Sequence, residues 1–462
     1  MAGDELPDQL TDDQLTDDQL TDDQLTDDQW AGDRNGSAVT SEPSGLAGDS
    51  SAAGAGGGHG PSAPPPPTVL PPTVLSVQPV AERGGSDQAL LRLARQLAAA
   101  GWAVHVALPA ASPMAPEFAA AGAQLHVVPM RRISTSHGVL AWLAYLLAWP
   151  ASVVRLWMLA REVQADVVHS NSLHSWYGWA AAWLARKPHL WHAREVVVQS
   201  RAALVVERFL ALHFATRVLA ISAAVASQLK PRNVVIVHEE ADPEEFFPGR
   251  AGRARGDLGL HDETLVVGYV GRIDTWKGVD VLLDSIPLLR EVSTLDGRET
   301  PGPGLRQLKV AIAGGPVGGK EAYAASLRRR AVQLGAVWLG PLTGSVAGDL
   351  IADLDCLVLA STEPEPWGLV LVEALACGTP VVTTDAGGPR EILAGLAPGA
   401  GLLVPPRDPA AVASAIASLL PPSTSTPLRR GRPVLRKGAP APYPAIFGEV
   451  AGRAAGVGAG RN

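Results

Sequence analysis

The sequence predicts an α/β protein made of two doubly wound domains facing each other across a cleft. Three observations predict it. Short apolar runs alternate with segments of helical periodicity from residue 68 to residue 420. A stretch rich in Pro, Gly and charge, residues 242–257, interrupts that alternation once. Each half then repeats strand and helix often enough for its own parallel sheet, covered by helices on both faces.

In the first half, residues 74–77 read as a buried strand. A Gly84-Gly85 loop follows, then a helix over 86–100 in which Ala89, Leu90, Leu93, Ala94 and Leu97 share one face. Ser86 is the expected N-cap, and Gly101 ends the helix. Residues 103–108, 124–128, 166–169, 189–192, 218–221 and 234–237 read as further strands, with a helix over 176–185. In the second half, strands are expected at 265–270, 308–313, 336–339, 356–360 and 380–383. Helices are expected at 279–289, 321–334, 368–377 and 409–420. The organisation is therefore an acidic tail over 1–67, a first domain over 68–241, a second over 242–428 and a basic tail over 429–462.

The tail 1–67 is not expected to fold. LTDDQ occurs four times in tandem between Leu10 and Gln29, and a Gly/Ala/Ser stretch and four prolines follow. Such a composition buries too little apolar surface to offset chain entropy. Residues 1–50 hold 14 acidic side chains and one basic one, Arg34, a balance of −13. With −8 for the whole chain, the remainder carries −8 − (−13) = +5. A nearly neutral, slightly basic body suits an anionic small molecule or a membrane surface, and it lacks the concentrated basic stripe of a nucleic-acid binder. From Arg429 onward there are seven basic residues and one acidic one, Glu449. Cys356 and Cys377 are too few for a disulfide framework and lack metal-ligand spacing, so reduced thiols in a cytoplasmic protein are expected. The first residues are acidic where a secretory signal is basic. Residues 138–154 form a charge-free run of 17 containing Trp142, Tyr145 and Trp149, but Pro150 interrupts it and Arg155 closes it. It is short for a membrane span. A helix covering the domain and a helix lying in a membrane interface both remain open.

Three motifs carry chemistry. In EPWGLVLVEALACGTPVVTTDAGGPRE, two carboxylates, Glu365 and Glu373, stand eight positions apart around Gly368, where a helix begins. That places a carboxylate and free backbone N–H groups at one edge, suited to sugar hydroxyls and phosphate oxygens. In GYVGRIDTWKG a strand delivers Gly271 and Arg272 to a loop, and Lys277 opens the next helix. Two cations five apart can clamp a diphosphate and neutralise a leaving nucleotide. In ERGGSDQALLRLARQL, Gly84 and Gly85 let backbone approach a phosphate between strand and helix. The G-x-G-x-x-G dinucleotide fingerprint is absent from it.

Together, in this order, these motifs resemble the family 4 glycosyltransferases, retaining enzymes of the GT-B fold with two Rossmann-like domains. The resemblance spans roughly residues 74–420. It implies a nucleotide-sugar donor held by the second domain and a saccharide or lipid-linked acceptor held mainly by the first. Glu373 looks like the ribose ligand, Glu365 the contact to the donor sugar, and Arg272 with Lys277 the diphosphate clamp. Gly84, Gly85, Gly271, Trp367, Gly368, Leu369, Gly387 and Gly388 would line the donor. No metal or other cofactor is implied, because the nucleotide sugar is itself a substrate. The expected setting is cell-surface glycan synthesis in the cytoplasm or at the inner face of the membrane, with peripheral membrane contact and no nucleic acid.

The chain departs from the family pattern in three places. A His is usual on the strand after the one ending in His169. Here the string is Trp191 to Glu195, with Arg194 at the expected position and His192 two residues before it. Either is a candidate contact to the donor sugar, and His169 and Asn171 are further candidates. The usual Asn-Gly-Val-Asp turn before the second domain is replaced by Glu239-Glu240-Ala241-Asp242, which implies an altered turn. Members often end in a helix that crosses back to the first domain. Here 421–442 is rich in Pro and basic residues, and only 443–454 could form a short helix, so a truncated crossing element is expected. A sugar-nucleotide epimerase-like GT-B enzyme and a degenerate, non-catalytic sugar-nucleotide binder remain alternatives.

Overall fold

A computed structural model describes residues 70–131, 139–198, 200–229, 233–250, 254–257, 264–295, 308–342, 344–420 and 442–458. The acidic tail and residues 421–441 lie outside the described residues. So does Gly138, the first residue of the charge-free run.

The first domain is a seven-stranded parallel sheet in the order β3-β2-β1-β4-β5-β6-β7. Its elements are β1 (Thr73–Val77), α1 (Gly85–Ala99), β2 (Ala103–Leu108), α2 (Ala115–Ala120), β3 (Ala123–Val127), α3 (Val139–Glu162) and β4 (Val167–Ser170). They continue with α4 (Gly178–Ala185), β5 (His189–Ala193), α5 (Arg201–Phe214), β6 (Arg217–Ala220), α6 (Ala223–Leu229) and β7 (Val234–Ile236). Strands β1, β4 and β5 are buried at every position, as a parallel sheet covered on both faces requires.

The second domain begins with a single-turn helix, α7 (Ala254–Asp257), inside the expected linker. It continues through β8 (Leu265–Val270), α8 (Val279–Leu295), β9 (Leu308–Ala313), α9 (Glu321–Gln333), β10 (Val337–Gly340), α10 (Gly344–Asp353) and β11 (Cys356–Leu359). Then follow α11 (Leu369–Cys377), β12 (Val381–Thr384), α12 (Pro389–Leu393), β13 (Gly401–Val404) and α13 (Pro409–Leu419). Its six parallel strands run β10-β9-β8-β11-β12-β13. Arg255 of α7 is buried and pairs with Asp355 at 2.7 Å while donating to the Thr264 carbonyl at 2.6 Å. The linker is thus fastened to the N-terminal ends of β8 and β11, opposite the crevice at their C-termini. Cys356, buried in β11, and Cys377 form no disulfide.

In both sheets the chain order reverses once, between β1 and β4 and between β8 and β11. The crevice outside the strand C-termini at such a switch point is where open α/β sheets bind ligands.

The C-terminal region corrects the sequence expectation of a truncated crossing element. Helix α14 (Tyr443–Gly458) returns to the first domain. Tyr443, Ile446, Phe447 and Val450, spaced i, i+3, i+4 and i+7, enter the same core as Trp102, Leu90 and Val104. The Phe447 ring meets Trp102 edge-on at 5.9 Å. The expected short helix over 443–454 is therefore the crossing element itself, and the Pro- and Arg-rich stretch before it concealed that role. At α1 the N-cap is Gly84, not Ser86: the Asp87 carboxylate accepts from the Gly84 N–H at 3.3 Å, and Ser86 turns toward Gln78.

Candidate active site

The second sheet delivers the residues of two motifs to one point. The loop after β11 carries Ser361 and Glu365, and the loop after β8 carries Gly271, Arg272 and Lys277. Glu365 is buried, and Lys277 holds both of its oxygens at 2.9 and 2.8 Å. The Ser361 hydroxyl donates to the second oxygen at 2.8 Å. Lys277 also lies 4.1 Å above the centre of the Trp276 ring. A buried pair of this kind stays only where its geometry is complete, because either charge alone is costly in the interior. Arg272 is exposed at the end of β8; its carbonyl accepts from the Tyr269 hydroxyl at 2.6 Å, and its guanidinium makes no hydrogen bond or ion pair among the described residues. It is a positive charge presented to the crevice mouth.

Two glycines allow this approach. A Cβ on Gly387, at φ +85°, would stand 2.1 Å from the Glu365 carbonyl oxygen, and one on Gly278, at φ +72°, would stand 1.8 Å from the Ala360 carbonyl oxygen. Gly388 donates its N–H to the same Glu365 carbonyl at 2.8 Å. The Gly-Gly turn therefore holds the Glu365 loop from behind. Helix α11 begins just beyond, with Gly368 at its N-cap and Leu369 half-buried as its first residue. The first N–H groups of a helix have no acceptor one turn back; here that of Leu371 is taken by the Gly368 carbonyl at 2.9 Å, which leaves those of Leu369 and Val370 for a ligand.

Glu373 lies one turn into α11 and is half-buried. Burial pushes its carboxyl up to about 7; Arg92 of α1 pulls it down, and Glu245, Glu239 and Asp242 push it up further. This carboxyl therefore belongs to an acidic cluster along the connection between the domains.

In the first domain a buried polar chain runs from the Gly84 loop to that connection. Gln78 donates to Asp87 at 3.3 Å, Asn171 donates to Gln78 at 3.1 Å, and Arg194 donates to Asn171 at 2.9 Å. Arg194 also forms a buried ion pair with Glu239. The two residues that depart from the family pattern thus meet each other: a cation where a His is usual satisfies a carboxylate where an Asn is usual. The Glu239–Asp242 turn needs no left-handed residue, and Asp242 is fixed by Arg95 at 2.9 Å.

His192 and Arg194, the candidate donor contacts on β5 and just after it, are both engaged within the protein. The Arg194 guanidinium is taken up by Asn171, Glu239 and His192. His192 is fully buried, with Tyr443 of α14 at 5.8 Å and His169 at 5.7 Å between ring centres. Burial and the neighbouring guanidinium hold both His169 and His192 well below the usual imidazole range. Trp367 likewise serves the domain connection. Its indole N–H donates to the Glu239 carbonyl at 2.9 Å, and its ring stacks on His238 at 4.4 Å.

Sequence reasoning missed Ser361, Gln78 and Glu391. Glu391, the last residue of the first motif, accepts from the N–H groups of Ala223 and Ala224 at the start of α6, at 2.8 and 3.1 Å, and meets His238 at 3.1 Å. It joins the two domains. Its position in a charged motif was visible, but its partners, about 150 residues or more away, were not. Among the described residues no three His, Cys, Asp or Glu side chains converge as a metal site would require.

Comparison with known proteins agrees with this fold. Residues 84–239 match the glycosyl transferase 4-like domain, and residues 264–421 match glycosyl transferases group 1. A D-inositol 3-phosphate glycosyltransferase of Stackebrandtia nassauensis is 30% identical over 368 residues, covering 73% of this chain and 79% of that protein. One from Streptomyces coelicolor is 31% identical over 372 residues, covering 72% and 78%. HepE of Anabaena, solved in complex with UDP-glucose, superimposes with a TM-score of 0.62 at 22% identity, covering 84% of this chain and 99% of that one. Sucrose-phosphate synthase of Thermosynechococcus elongatus gives 0.59 at 18%, covering 84% and 94%. With both halves matched, and in the right order, the chain is a glycosyltransferase of GT-B fold and belongs to family 4.

Proposed function

We propose that this protein transfers a sugar, with retention of anomeric configuration, from a nucleotide-sugar donor on the second domain to a saccharide or lipid-linked acceptor presented by the first. The observation that carries this reading is the convergence at one switch point of the Lys277–Glu365 pair, the exposed Arg272, the Gly387–Gly388 backbone and the start of α11. Arg272 and Lys277 supply positive charge where the diphosphate leaves, which lowers the barrier most in a crevice from which water is excluded. Lys277 is already oriented by Glu365, so a diphosphate would engage it without a search over rotamers. Glu365 is then positioned to accept from donor-sugar hydroxyls, and Glu373 from the ribose. A leaving-phosphate oxygen would take the acceptor proton. HepE, similar in fold, was solved with UDP-glucose, which supports a donor of this chemical class.

The similarity to D-inositol 3-phosphate glycosyltransferases favours a second reading of the acceptor, a small polyol phosphate. For a lipid-linked acceptor the enzyme would work at the cytoplasmic face of a membrane in surface-glycan assembly. The test is product analysis by proton NMR after incubation with nucleotide sugars and each acceptor class. Retention predicts a glycoside with the donor's own anomeric configuration. Inverted product would sink the mechanism, and an epimerised donor in the absence of acceptor would sink the transferase reading.

A further inference from the structure

Most of the large apolar side chains exposed among the described residues gather on one side of the first domain, on the outer face of α3, α4 and α5. On α3 the exposed stripe is Leu140, Leu143, Leu147, Val154 and Met158, with Leu140 and Leu147 more than four-fifths exposed (83% and 82%). The spacing is i, i+3, i+7 and onward, one continuous helix face. Its opposite face, Tyr145, Val153, Leu156, Leu159 and Ala160, is buried against the sheet, and Ser152 is tied to the Pro129 carbonyl at 2.6 Å. Lipid could therefore meet α3 from one side only, which rules out a span in this fold.

The apolar surface does not stop at α3. Trp149 of α3 meets Trp179 of α4 at 6.0 Å, and Trp179 meets Phe214 of α5 at 4.4 Å, so the three helices form one aromatic-bound layer. Trp183 of α4 is 66% exposed, and Val205, Phe209 and Leu212 of α5 point outward beside it. Contiguous exposed apolar surface of this extent on a folded domain marks an interaction site.

The charge on the same face selects the partner. Arg155, Arg161, Arg186 and Arg201 are exposed, and Lys187 is half-exposed. Against them stand Glu162, which is exposed, and Asp166, which reaches Lys187 only at 4.0 Å. Glu207 of α5 points inward to His174 and does not offset them. Arg201 sits in the first turn of α5, where the helix dipole disfavours a cation, so nothing within the helix accounts for it. Arg186, Lys187 and His213 also line a shallow groove of about 480 Å³ beside Trp183, Leu184 and Phe214. That groove combines cations for a phosphodiester with an apolar wall for acyl chain.

We propose that the α3–α4–α5 face docks the protein on an anionic phospholipid bilayer, with α3 in the plane of the interface and the Arg186–Lys187–His213 groove taking a lipid headgroup. Helix α3 is about 36 Å long at ~1.5 Å per residue, and an amphipathic surface with basic flanks binds anionic lipid in this way. The inference rests on the transferase reading only for its purpose, namely bringing the cleft to an acceptor carried by lipid.

The test is flotation of the full chain with vesicles of phosphatidylcholine alone and of phosphatidylcholine with phosphatidylglycerol. Binding to the second and not the first, weakened by salt, is expected. Arg186→Glu with Lys187→Glu should weaken it about 30-fold or more, since each basic residue near an anionic surface contributes roughly fivefold. Leu147→Ser with Trp183→Ser should weaken it also, while Arg328→Glu with Arg329→Glu, on exposed positions of α9 in the other domain, should not. Stabilisation by nucleotide sugars, measured in parallel without vesicles, should be the same in all these variants, which separates failure of the docking surface from failure of the donor site. Vesicles ignored by the wild type, equal binding to both compositions, or binding untouched by the Arg186/Lys187 reversal would each overturn the proposal. Self-association through this face in place of vesicle binding would overturn it too.

Discussion

Replacing Glu373 with Gln tests whether the second domain stores a strained carboxylate for its ligand. Burial, with Glu245, Glu239 and Asp242 nearby, lifts this carboxyl from 4.5 to about 7 despite Arg92. Below pH 4.5 it is protonated in folded and unfolded chains alike, and its ionisation costs the fold nothing. Between 4.5 and 7 the unfolded chain gives up the proton while the folded one keeps it, so stability falls as pH rises. Above 7 the full penalty is present, about 3 kcal/mol at ~1.36 kcal/mol per tenfold change in proton affinity. Gln removes the charge and keeps the shape. Glu373→Gln should therefore melt close to the wild type at pH 4.5 and several degrees above it at pH 8, at roughly 2–4 °C per kcal/mol. Scanning calorimetry from pH 4.5 to 8 reads this directly. An equal effect at both ends of the range, or a loss that grows with pH, would show that Glu373 carries no such penalty.

Other consequences follow from the same contacts. Arg194→Ala should cost about 3–5 kcal/mol in urea unfolding because it leaves Glu239 buried without its ion partner, and adding Glu239→Gln should restore much of that loss; no rescue would mean that the pair is not coupled. Gly387→Ala should destabilise by about 3 kcal/mol or more through its left-handed backbone and the contact with the Glu365 carbonyl, whereas Gly249→Ala, also left-handed but in open space, should cost only the backbone part. Glu391→Ala should lose about 1 kcal/mol of helix-cap stabilisation at α6 and should raise the radius of gyration in small-angle scattering as the two domains part; an unchanged profile would deny it a role in holding them together.

The layers of this fold were legible because parallel strands buried on both faces leave uninterrupted apolar runs. The predicted strands 103–108, 265–270 and 308–313 coincide with β2, β8 and β9. Strand β13 and the short helices α2, α6 and α12 escaped, being too brief to show a period, and α10 escaped as well. Helix α14 was legible as a short helix over 443–454, but its return to the first-domain core was not, because its four core residues follow a segment whose composition argues against structure. At the site, Glu365 and Lys277 were legible as chemistry but not as a pair, since 88 residues separate them. Arg194 was read by position alone. Its burial depends on Asn171 and Glu239, which reach it from β4 and the domain connection, and no local pattern encodes that meeting. The apolar helix over 139–162 could be read as core cover or as membrane surface, and its two faces answer to each description in turn.

Thermal denaturation in the presence of UDP-, GDP- and ADP-sugars tests whether the switch point of the second sheet is a nucleotide-sugar site. A donor at a hundred times its dissociation constant adds about 2.7 kcal/mol to the folded state. The structure predicts that one nucleotide series raises the melting temperature of the wild type by several degrees and does not raise that of Glu373→Gln. A melting temperature unmoved by every nucleotide sugar, or moved equally in both proteins, would contradict it.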